Sequence, residues 1–91
     1  MSDVPAPLNL YSISSSNNSL NYSINCEKAE LIKFYQENLE IYGWKEIVIF
    51  DEQNTILIYE KPHKFLSILI MASKDALKVF VYTKEKFTVS D

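Results

Sequence analysis

From Glu27 to Trp44 the apolar residues recur with a helical period, and from Ile47 to Thr83 they alternate in short runs. At 100° per residue Leu31, Ile32, Phe34, Tyr35, Leu39, Ile41 and Tyr42 fill about half of a helix circumference. Ala29, Glu30, Lys33, Gln36, Glu37 and Glu40 fill the other half, with Asn38 as the one polar residue in the apolar arc. Asn25 is placed to act as N-cap, because its side-chain oxygen can accept an orphan N–H of the first turn. Glu27 and Glu30 then lie at the positive helix end, where carboxylates are favoured. Gly43 follows the last periodic residue and suits a left-handed C′ position. The stop returns Trp44 to the helix, so Phe34, Tyr35, Leu39 and Trp44 are expected to form the helix side of the core.

Ile47–Phe50, Thr55–Glu60, Phe65–Met71 and Leu77–Thr83 are rich in Ile, Val, Phe and Tyr, which marks strands. Their connectors are of hairpin length, so consecutive strands should be antiparallel neighbours. Upstream, Leu20–Ile24 reads as one strand, with Leu10–Ile13 as a candidate hairpin partner across a Ser/Asn turn. The expected fold is α+β: one amphipathic helix packed on an antiparallel sheet of four to five strands, in the order β-α-β-β-β-β. Residues 1–10, with Pro5 and Pro7, read as an extended N-terminal arm. Residues 11–84 form a single α+β domain and residues 85–91 a C-terminal tail that holds Phe87 and Val89.

A half-buried strand should alternate apolar with polar residues. Here both phases are apolar. Leu66, Ile68, Ile70, Val79 and Val81 form one set, and Phe65, Leu69, Phe80 and Tyr82 the other. The pattern does not say which set meets the helix. One helix covers one face, so the other would expose several hundred Å² of apolar surface, near the limit for a soluble monomer. Phe65, Leu69, Phe80 and Tyr82 are therefore the candidate interaction face. The N-terminal arm, a second copy in a homodimer, or an unknown protein partner could cover it.

Composition narrows the function classes. Ninety-one residues make one domain, and 47% hydrophobic with 23% charged residues is globular. A net charge of −3 argues against nucleic-acid binding, which needs a basic field. The single glycine excludes a glycine-rich phosphate loop, and the single cysteine excludes an internal disulfide or a multi-cysteine metal site. No apolar run reaches the length of a membrane span. Residues 1–10 lack the basic start and apolar core of a signal peptide. That fits a cytoplasmic chain, or a mature segment of the periplasm or envelope after a signal peptide is removed. Abundant Ile, Lys, Asn, Tyr and Phe point to an AT-rich, bacterial type of genome.

Candidate chemistry is sparse. Cys26 is expected at the first helical turn, where the dipole would lower a thiol pKa; the plainer reading is a small packed residue. Lys61, His63 and Lys64 form a candidate basic hairpin tip for an anionic head group or carboxylate; the plainer reading is a solvated turn bent by Pro62. His63 has no partner at metal-ligand spacing. Glu30, Glu37 and Glu40 read as a solvated helix face with Lys33 among them. No catalytic, cofactor-binding or metal-binding residues are expected, and no enzymatic activity.

Phe34-Tyr35, then Gly43-Trp44, then Leu57-Ile58-Tyr59-Glu60-Lys61-Pro62 and a further apolar strand resemble a group of small uncharacterised bacterial domains. In that group a helix with an FY pair ends at GW and a β-meander follows. Many members are envelope lipoproteins or follow a signal peptide, so the resemblance implies an envelope setting. It covers residues 20–83 and implies no catalytic residue. The strand order also resembles the cystatin-like topology, but no QxVxG hairpin or Pro-Trp pair is present to imply protease inhibition. The expected function is a non-catalytic protein-interaction or assembly module. The alternative is a small-molecule-binding protein or enzyme with a pocket between helix and sheet.

Overall fold

The computed structural model describes residues 3–86. Six strands and one helix follow in the order β1 (Tyr11–Ser15), β2 (Ser19–Ile24), α1 (Lys28–Ile41), β3 (Lys45–Asp51), β4 (Asn54–Lys61), β5 (Lys64–Ala72) and β6 (Leu77–Glu85). The class is α+β, as the periodicity predicts, but the sheet has six strands rather than four or five, ordered β1-β2-β6-β5-β4-β3. The added strand is β1, whose pairing with β2 turns the expected hairpin partner at residues 10–13 into a full edge strand. The last strand runs to Glu85, just past the expected domain limit of residue 84.

All neighbouring strands are antiparallel. β3 to β6 form a meander because their connections are short. The strand before the helix pairs with β6, at the far side of that meander from β3. β2 and β3 therefore run in the same direction with three strands between them. The helix makes this crossing and returns the chain to the end of the sheet where β3 starts; at about 1.5 Å per residue its 14 residues are about 21 Å long.

The helix buries a narrower stripe than its composition suggests. Leu31, Tyr35 and Leu39 are buried at four-residue spacing, and Trp44 folds back beside them. Phe34 is half-buried, with its ring edge-on to Tyr35 at 5.3 Å. Ile41 is exposed, about 120° around the helix from Tyr35, and Tyr42 is exposed as the C-cap where the helix ends. Asn38 meets its need locally by donating to the Phe34 carbonyl at 2.9 Å. Gly43 adopts φ 89° as the stop requires. The helix begins later than expected. Glu27 occupies the N-cap without a side-chain bond, and Asn25 instead accepts a hydrogen bond from the Tyr11 hydroxyl at 3.2 Å.

The core lies between the helix and one sheet face. Tyr22, Ile24, Leu57, Tyr59, Leu66, Ile68, Ile70, Leu77, Val79 and Val81 supply the sheet side. Thr55 is the one buried polar side chain among the described residues, and it donates to Asp51 at 2.7 Å. Residues 87–91, which include Phe87 and Val89 of the expected tail, lie outside the described residues.

Candidate functional site

The arm and the helix occupy the same face of the sheet. Val4 joins the core, and Trp44 donates its indole N–H to the Asp3 carbonyl at 2.9 Å. The Asp3 carboxylate pairs with Lys64 at 2.7 Å and with Lys61 at 3.2 Å. Both ammonium groups also lie over the Trp44 ring, at 4.8 Å for Lys61 and 5.8 Å for Lys64. Burial raises the Asp3 pKa, but the hydrogen bonds and charges of Lys64 and Lys61 outweigh it and hold the carboxyl below its ordinary value. The expected basic tip is thus occupied by the chain's own arm. Its third member, His63, is exposed, and its carbonyl accepts from the Lys86 N–H at 2.8 Å.

The opposite face is bare of any other described segment. Register places Leu69 directly opposite Phe80, Tyr82 opposite Ser67, and Phe65 opposite Lys84, so the four candidate residues share one face. Two rows cross the strands. Phe50, Ile56, Leu69 and Phe80 form one, and Val48, Ile58, Ser67 and Tyr82 the other. Phe65 and Met71 extend the patch at its two ends. Phe50, Tyr82, Phe65, Val48, Phe80, Ile56 and Met71 are all exposed, and Leu69 and Ile58 are half-buried. On β2 and β1 the same rows continue into Asn21, Ser19 and Ser14, so the patch turns polar there. It reaches the edge strand β3, whose register slips between Glu46 and Val48. The bulge shifts the phase at Ile47, and Ile47–Phe50 is apolar throughout, so alternation alone does not assign Val48 and Phe50 to a face.

Lysines rim this face. Lys45 and Lys84 lie on it at the end near Phe65, and Lys78 at the end near Met71. Lys86 reaches over the Phe65 ring at 4.9 Å and pairs with Glu60 at 2.8 Å. Glu60 is the single acid on the described face, its carboxyl held below the ordinary value by the Lys86 hydrogen bond and, less, by Lys45. Lys78 and Lys84 share the phase of Phe80 and Tyr82 on one strand, whereas Lys45 lies far upstream and joins the rim only through the register of β3 with β4.

The other candidate groups carry no comparable arrangement. Cys26 lies before the first helical turn rather than in it. Burial, then the Glu30 and Glu27 carboxylates, push its thiol pKa up, opposite to the activation expected of a helix start. Glu30, Glu37 and Glu40 are exposed on the outer helix face. The space between helix and sheet is filled: Tyr35, Leu39, Leu57, Leu66, Ile68, Ile70 and Val79 are each 0% exposed. The Tyr22 and Tyr35 hydroxyls there bond to each other, and no buried side-chain polar atom among the described residues lacks a partner. Among the described residues no helix is long and apolar enough to cross a membrane, and no three His, Cys, Asp or Glu side chains cluster as metal ligands.

Compared with known proteins, the chain matches no family model, no curated protein and no solved structure.

Proposed function

We propose that this protein is a non-catalytic interaction or assembly module whose working surface is the bare sheet face centred on Leu69 and Phe80. The observation that carries the reading is the placement of cover. Helix and arm are both packed on one face, while nine apolar side chains from β3 to β6 lie together on the other. A contiguous patch of that kind marks interaction sites on soluble proteins. The filled interior gives the pocket-based alternative no comparable support.

The test is the native size of the protein in an extract of cells that make it naturally. Wild type should elute well above its 10.6 kDa monomer mass. A Leu69→Lys/Phe80→Lys variant with unchanged circular dichroism should elute as a monomer. A wild type that elutes as a monomer, or a variant that stays in the large species, overturns the reading.

A further inference from the structure

We infer that the bare sheet face takes an acidic amphipathic helix of another protein, laid along β4, β5 and β6, rather than a second copy of the same face. The inference rests on the interaction reading above and adds the chemistry of the partner. Charge is its first support. Lys45, Lys78, Lys84 and Lys86 share the face with the one carboxylate of Glu60, so it is net positive by three. The whole chain is −3, which leaves −6 for the remainder. An apolar centre rimmed by lysines complements a partner with an apolar stripe and acidic flanks.

Symmetry opposes the self-pair. A face-to-face dimer is isologous, so the same patch meets itself across a two-fold axis. An axis along the strands sets the Lys45, Lys84 and Lys86 end over the same end of its copy. An axis across the strands sets Lys78 of each copy over that lysine-rich end of the other. Either arrangement brings lysine against lysine at the rim of an apolar contact, where like charges cost most.

Length and layering fit a helix. Lys78 and Lys84 are six residues apart on β6, about 20 Å along the strand, and about 13 helical residues cover that distance. The chain's own helix on the other face, at 14 residues, is of similar length. A second helix on the bare face would complete a helix–sheet–helix sandwich, a stable way to bury both sides of a sheet.

The test uses a fluorescein-labelled 16-residue peptide with a leucine stripe and glutamates elsewhere, beside an analogue with lysine at every glutamate. Anisotropy titrations would compare wild type, Lys78→Glu/Lys84→Glu and Leu69→Thr/Phe80→Thr, each checked for folding by circular dichroism. Wild type should bind the glutamate peptide at least tenfold more tightly than the lysine analogue, and less tightly as salt rises. The Lys78→Glu/Lys84→Glu variant should lose or reverse that preference, and Leu69→Thr/Phe80→Thr should bind neither peptide. Equal wild-type affinity for both peptides, abolished in the threonine variant, overturns acidic selection while the docking face stands. Full affinity in the threonine variant overturns the docking face as well. Binding to neither peptide overturns the inference, whether phosphatidylglycerol vesicles capture the protein instead or a dimer forms that the threonine variant dissolves.

Discussion

The hydroxyls of Tyr22 on β2 and Tyr35 on α1 meet in a hydrogen bond inside the core. Both side chains are sealed from water, and each hydroxyl is the other's side-chain partner. Tyr22→Phe should therefore cost about 1–3 kcal/mol, since it strands the Tyr35 hydroxyl in an apolar site. Tyr35→Phe should cost a similar amount. The double variant should cost less than the sum, because two phenylalanines leave nothing unpaired. Urea unfolding of the four proteins measures this coupling, and strictly additive losses would contradict it.

The same burial sets an alkaline limit. Desolvation pushes Tyr35 up to about 12 and Tyr22 higher still; desolvation, then the Glu46 carboxylate, pushes Tyr59 up to about 12. An unfolded tyrosine ionises near pH ~10. Between those values the unfolded chain releases protons that the folded chain keeps, so rising pH favours unfolding. Stability should hold below about pH 10 and fall steadily towards pH 12. Denaturant midpoints over that interval check it, and a flat profile would contradict it.

Asp3 ties the arm to the β4–β5 hairpin, and its lowered pKa gives the opposite pH sense. The unfolded carboxyl takes up its proton first as pH falls, so the tie contributes above the unfolded pKa and is lost as pH drops through the folded one. Asp3→Asn should loosen the arm at neutral pH. Trp44, whose indole N–H bonds to the Asp3 carbonyl, should then show red-shifted emission in the native state. Emission identical to wild type would show that the arm stays seated without the charge.

Gly43 tests the helix stop. A Cβ there would meet its nearest atom, Lys61 Cε, at an ordinary 3.8 Å, so space is not the constraint. The constraint is the positive φ, and Gly43→Ala should cost about 1–2 kcal/mol. Gly43→Asn should cost less, because asparagine tolerates that region better. A thermal melt of each variant decides it, and an alanine variant as stable as wild type would contradict the assignment.

The helix and the meander were legible because their side chains carry a burial period: Leu31, Tyr35 and Leu39 at four-residue spacing, and Leu66, Ile68 and Ile70 at two. β1 lacked such a signal. Its alternation, Tyr11-Ser12-Ile13-Ser14, is weak: all five residues are exposed, and Ser12 takes a positive φ of 53° where the register slips, so no alternation of burial stands behind it. The pairing of β2 with β6 joins residues more than 50 positions apart, such as Tyr22 and Val79, which no local pattern encodes. For the candidate site, alternation found Phe65, Leu69, Phe80 and Tyr82 but not their neighbours across the sheet. Ile56 and Ile58 showed the right phase, yet only the register aligns them with Leu69 and Ser67. The basic tip is local in sequence, but Asp3, which pairs with Lys61 and Lys64, lies 58 positions before Lys61, so the occupied state of the tip has no local signal.

A partner held on the Leu69–Phe80 face lies within reach of a photocrosslinker placed there. A benzophenone amino acid placed at position 80, and separately at position 33 on the outer helix face, would be irradiated in cells that make the protein naturally. Position 80 should give a discrete heavier adduct, lost when Leu69→Lys is added, and position 33 should give none. An adduct from position 33 alone, or none from position 80, would contradict a partner on the Leu69–Phe80 face.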